Sequence, residues 1–114
     1  MTTFDERERG FEARFAHDAE FQFKAEARRD RLVGLWAGGL MGLTGEALEN
    51  YALSVMRADL AEPGDQDVHR KLVSDLAAAR HPISAAEVRA RMDALLAQAR
   101  LEVQDAQPPP PAVR

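Results

Sequence analysis

Lys24-Ala25-Glu26-Ala27-Arg28-Arg29-Asp30-Arg31-Leu32-Val33-Gly34-Leu35-Trp36-Ala37-Gly38-Gly39-Leu40 is the stretch on which the fold turns. Its first eight residues set Lys24, Arg28, Arg29 and Arg31 against Glu26 and Asp30, a net charge of +2. From Leu32 onward the charge disappears and Leu, Val and Trp take over. A run of charged helix formers that turns apolar without a break is a helix entering a core. The anchor of that helix is therefore placed at Leu32, Val33, Leu35, Trp36 and Leu40. Glycine costs about 1 kcal/mol inside a helix and suits the left-handed position just past its end, so Gly38-Gly39 or Gly42 should terminate it. Arg28-Arg29 with Arg31 reads as a small basic patch on a solvated helix face. Arg28, Arg29 and Trp36 are the candidates there for contact with an acidic protein surface or a nucleotide phosphate.

Upstream, the same helical pattern continues back to the N-terminus with no proline and only Gly10 as a weak point. Thr3 and Glu6 have the spacing of a capping box. All five phenylalanines of the chain lie here, at Phe4, Phe11, Phe15, Phe21 and Phe23. Phe4, Phe11 and Phe15 fall within about 40° of one another on a helical wheel, whereas Phe21 and Phe23 lie off that stripe. Residues 1–23 carry six acids and three arginines, a net charge of −3. Acids early and bases late suit the helix macrodipole, and Asp5–Arg9 and Glu20–Lys24 have supporting i,i+4 spacing. Apolar positions are few for the length of this arm. An isolated, mostly solvated helix is marginal in water, so residues 1 to about 18 are expected to be partly disordered in the free protein and to order on a partner. The boundary between arm and core is expected between Asp18 and Phe23.

Downstream, three more helical patterns follow. Thr44 is placed to cap the second, with Leu48, Tyr51, Ala52, Val55, Met56 and Leu60 on one face. Glu62-Pro63-Gly64 stops it, and Asp65 is placed to cap the third. Val68, Leu72, Val73, Leu76 and Ala77 form the third apolar face, which His81-Pro82 breaks because the residue before proline is pushed out of the α region. Ser84 and Glu87 form a capping box, with Ile83 and Val88 at the positions of a hydrophobic staple. Val88, Met92, Leu95, Leu96, Ala99 and Val103 are the apolar face of the fourth helix. No segment alternates with period two. The fold class is all-α, a four-helix bundle with a long first helix. Three parts are expected: an arm over 1–20, a bundle over 21–104, and a disordered, Pro-rich tail over 105–114.

The totals narrow the function. A chain of 114 residues is one domain's worth, with net charge −4 and no cysteine. A mildly acidic chain has no general attraction for nucleic acid or anionic lipid. The acidic N-terminus is unlike a secretory signal, and the uncharged run Leu32–Gly45 is shorter than the roughly 20 apolar residues of a membrane span. A cytoplasmic protein without membrane insertion is expected. No phosphate loop, nucleophile elbow or zinc-protease motif is present. His17, His69 and His81 lack partners at metal-ligand spacing, so no metal site is expected. Asp59, Asp65 and Asp67 are accounted for by capping and dipole compensation. The phenylalanine arm reads either as a core helix or as a helix that docks in a groove on another protein, with aromatic anchors on one face.

The residues also carry a resemblance. Phe4-Asp5-Glu6-Arg7-Glu8-Arg9-Gly10-Phe11-Glu12-Ala13-Arg14-Phe15-Ala16-His17-Asp18, Phe23-Lys24-Ala25-Glu26-Ala27-Arg28-Arg29 and Leu35-Trp36-Ala37 resemble the zeta subunit family, inhibitors of the F1-ATPase of alphaproteobacteria. So do Gly42-Leu43-Thr44-Gly45, Tyr51-Ala52, Ala58-Asp59-Leu60, Gly64-Asp65 and Asp67-Val68. The resemblance spans about residues 3 to 100. It implies a four-helix bundle with an inhibitory N-terminal arm that enters a catalytic α/β interface of F1 and blocks rotation in the hydrolysing direction. The arm residues it assigns to F1 binding are Phe4, Arg7, Glu8, Phe11, Arg14, Phe15, His17 and Asp18. It further implies a non-enzymatic protein, a monomer when free, with the α, β and γ subunits of F1 as partners at the cytoplasmic face of the inner membrane. No cofactor is implied beyond weak adenine nucleotide binding. The alternative is a small helical module that binds adenine nucleotide, or an adaptor, with no inhibitory role.

Overall fold

The computed structural model describes the backbone of residues 3–106 and the side chains of residues 17–106. Four helices follow one another: α1 (Thr3–Leu40), α2 (Gly45–Ala58), α3 (Gln66–Ala78) and α4 (Ala85–Ala106). The described residues contain no strand. The all-α, four-helix architecture agrees with the periodicity.

The end of α1 settles the choice among its glycines. Gly38 and Gly39 are helical, and Gly42 is the left-handed residue, with φ +85°. Leu43 N donates to Gly38 O (2.9 Å) and Gly42 N to Gly39 O (3.1 Å). This crossed pair of bonds closes a helix C-terminus and needs a residue without a Cβ penalty at the turn. Gly38 stays in the helix for a packing reason: a Cβ there would sit 2.6 Å from Leu48 Cδ1. Gly34 is tighter, since its Cβ would meet the Ala52 backbone Cα at 2.8 Å. Gly34 and Ala52 thus mark a point where the α1 and α2 backbones pack in close approach.

Thr44 and Asp65 occupy the N-cap positions of α2 and α3, but neither side chain caps. Ser84 does cap α4: its Oγ accepts from Glu87 N at 3.1 Å. The third helix closes one step before the expected His81-Pro82 break. Arg80 adopts φ +61°, His81 N donates to Leu76 O, and Arg80 N to Ala77 O. Arg80 therefore does for α3 what Gly42 does for α1.

The core is one cluster: Val33 and Ala37 from α1, Val55 from α2, Val68, Leu72 and Leu76 from α3, and Val88 and Met92 from α4. Burying each of the larger side chains contributes about 1.5–3 kcal/mol. Trp36, Leu40, Tyr51, Val73, Ile83 and Leu95 pack partly buried around it. Ala77 and Leu60, expected on apolar faces, are exposed, and Leu60 lies beyond the end of α2. The α1 helix packs along both α2 and α4 and touches α3 more lightly. The bundle is therefore assembled around its first helix. Ala25, Ala99 and Val103 extend the packing of α1 on α4 toward the arm.

Candidate functional site

The helix α1 is uninterrupted from Thr3 to Leu40. At 1.5 Å per residue its 38 residues span about 57 Å, far more than the 13–22 residues of its neighbours need. Phe4, Arg7, Glu8, Phe11, Arg14 and Phe15 lie on this helical backbone, with their side chains outside the described residues. His17 and Asp18 are exposed, as are Ala19 and Glu20. Lys24 meets Glu20 at 3.0 Å across one turn, the spacing the sequence offers. Phe21 is half-buried, Phe23 is 63% exposed, and Ala25 is the first fully buried side chain among those described. Among the described side chains of α1, burial thus begins over Phe21–Ala25, the root of the expected arm.

Beside this root runs a groove of about 260 Å³ between α1 and α2. Phe23, Ala27, Leu53, Met56 and Leu60 make its apolar walls, with Asp30 and Asp59 in its lining. Phe23, Leu53 and Leu60 leave much of their apolar surface in solvent.

Arg28, Arg29 and Arg31 do not form the expected solvated patch. Arg29 is only 3% exposed. Arg28 is paired with Glu102 (3.2 Å) and Arg31 with both oxygens of Glu49 (2.6 and 3.2 Å). The Arg31 guanidinium holds the Glu49 carboxyl below the usual range. Trp36 packs on the core and carries the Arg91 guanidinium 5.2 Å above its ring. The three side chains therefore point to three different neighbours. Among the described residues, no group of three or more His, Cys, Asp or Glu is placed to hold a metal ion.

What sequence reasoning missed is the junction around Arg29. Its Nε donates to Asp30 Oδ1 at 2.8 Å, and its terminal nitrogens lie 3.6 Å from Asp59 and Asp65 carboxylate oxygens. Arg89 of α4 donates to Asp65 at 2.8 Å. Asp65 thus ties α4 and α1 to the start of α3 instead of capping it. Burial works against the Asp65 charge, but Arg89 and Arg29 outweigh it and hold the carboxyl below its ordinary value. Asp30 goes the other way. Burial, reinforced by a hydrogen bond with Asp59, pushes it up to about 8 against the pull of Arg29. The only hint in the sequence is an Arg-Asp pair one residue short of the apolar run, and local rules assign that pair to the surface.

The ATPase inhibitor subunit zeta family model matches residues 1–102, which includes the arm, all but the last turn of α4, and everything between. The chain belongs to the ATPase inhibitor subunit zeta family. A solution NMR structure of a protein 42% identical in sequence aligns with a TM-score of 0.66, covering 75% of this chain and 98% of that one. No curated protein sequence matches. No helix among the described residues is long and apolar enough to cross a membrane. The family is one of ATPase inhibitor subunits, a regulatory class, and its model extends across the whole of α1.

Proposed function

We propose that this protein inhibits ATP hydrolysis by the F1 sector of ATP synthase through the N-terminal part of α1. The arm enters a catalytic α/β interface, orders there, and blocks rotation of γ in the hydrolysing direction. Phe4, Phe11 and Phe15 anchor one face of the arm in an apolar groove, while Arg7, Glu8, Arg14, His17 and Asp18 set its register. The observation that carries this reading is the family match over an α1 that runs from Thr3 into the core without a break. The exposure of His17–Glu20 supports it, because those positions are open to a partner. The protein acts as a non-catalytic monomer that joins F1 at the cytoplasmic face of the inner membrane.

The test is ATP hydrolysis by alphaproteobacterial F1 with the full chain and with a chain lacking residues 1–19. Full-length protein should suppress hydrolysis and the truncated one should not. Equal rates with both would remove the reading. Replacing Phe11 and Phe15 together by Ala should abolish inhibition and leave the melting temperature nearly unchanged. A large fall in melting temperature would return both rings to the core.

A further inference from the structure

The junction around Arg29 is where all four helices meet through charge. Arg29 and Asp30 come from α1, Asp59 is the C-cap of α2, Asp65 the N-cap position of α3, and Arg89 comes from α4. Glu26 and Arg57 stand on the rims of the adjoining grooves. Inside the junction the two arginines are balanced by Asp59 and Asp65, which leaves Asp30 as the surplus acid. It is also the most buried member, 1% exposed. An uncompensated buried carboxylate is costly, and a close second carboxylate makes it more so. Holding a proton removes both costs. Asp30 Oδ1 accepts from Arg29 Nε, and the same guanidinium reaches Asp59 at 3.6 Å, so a protonated Asp30 is placed to donate to the Asp59 carboxylate.

We propose that the Asp30–Asp59 carboxyl pair is a proton-operated clamp that holds the α2–α3 connection against α1. With the proton in place, Asp59 is fastened to the middle of the longest helix. With the proton lost, two carboxylates face each other and Arg29 must serve three acids. Asp30 cannot retreat, because it sits within α1 among buried neighbours. Asp59 can, because the chain beyond it, Leu60–Gly64, is exposed and held by little else than short turn bonds. Its retreat opens the α1–α2 groove, whose lining includes both acids. The position of the Asp30 titration, about 8, completes this change just above neutrality, where an ordinary carboxyl is insensitive. The clamp is a property of the bundle and holds whether or not the arm acts on F1.

Carboxyl-carbon NMR of the full chain between pH 5 and 10, with exchange of the hydrogen-bonded amides of Asp59, Leu60 and Ala61 over the same range, tests the clamp. The Asp30 carbon should show its inflection near 8. Protection of these amides, corrected for intrinsic exchange, should fall as pH rises toward that point, by at most about tenfold per pH unit, and level off above it. In Asp30→Asn, which is permanently neutral, protection should stay flat. An Asp30 inflection below pH 5, or the same loss of protection in Asp30→Asn as in the parent, would overturn the proposal. Should Asp30→Asn not fold, Asp59→Asn serves instead: it removes the facing charge, and the Asp30 inflection should move down by about one unit or more. An unmoved inflection there counts against the clamp.

Discussion

Three glycines of α1 look alike in sequence and differ in what a methyl group would meet. Gly34→Ala drives its Cβ onto the Ala52 backbone, which cannot rotate away, so the two helices must part. A loss of about 1–3 kcal/mol is expected from denaturant unfolding. Gly38→Ala meets the end of the Leu48 side chain. That group can turn aside, and the gain in helix propensity of about 1 kcal/mol offsets most of the cost. Gly39→Ala meets nothing within 4 Å and should stabilise by up to about 1 kcal/mol. The order of the three midpoints is the check: 39 above 38 above 34. Arg80 is the complementary case, a side chain in the left-handed region at the end of α3. Such a residue costs about 1–2 kcal/mol, of which a glycine's looser unfolded chain would cancel about half. Arg80→Gly should therefore raise stability by about 0.5–1 kcal/mol.

Among the helices whose first-turn side chains are described, α4 is the one whose start rests on a single side chain. Ser84→Ala removes the acceptor for Glu87 N and should cost about 1 kcal/mol, with amide protection lost first in residues 85–88. This start was legible in the sequence because cap, staple and apolar face all lie within one short window. The same holds for the apolar faces of α2 and α3, whose buried members Ala52, Val55, Val68, Leu72 and Leu76 keep helical spacing. Asp65 shows where that legibility stops. Its position at the head of α3 was readable, but its carboxylate is claimed by Arg89, twenty-four residues away, and by Arg29. Arg29 was misplaced on a solvated face for the same reason, and nothing local singled out Asp30 beside it. Whether a charged pair is buried depends on which partners three other elements bring to it, and no local pattern records that. The arm was readable as an oddity of composition, and the target proposed for it rests on resemblance and the family match.

At the scale of the whole molecule, opposite pKa displacements shape stability against pH. Asp65 is held below its ordinary value, so its contribution is present above that value and is lost as pH falls through the folded one. Asp30 has the reverse sign. Its folded value of about 8 lies above the ordinary 3.8, so its contribution is complete below 3.8 and is lost as pH rises through about 8. Melting temperature should therefore decline on both flanks, and Asp30→Asn should flatten only the alkaline one. Removing residues 1–16 should leave the melting temperature within a few degrees of the parent, since the described packing of α1 begins at Phe21–Ala25. One consequence lies in the continuity of α1 itself. The helix that forms the arm also contributes Val33 and Ala37 to the core and crosses α2 at Gly34. Arm and bundle are thus a lever and its mounting made from one piece. Tension on the arm is delivered as shear along the α1–α2 and α1–α4 contacts, so pulling the arm free of a grip would strain the interior of the bundle before it could bend a hinge.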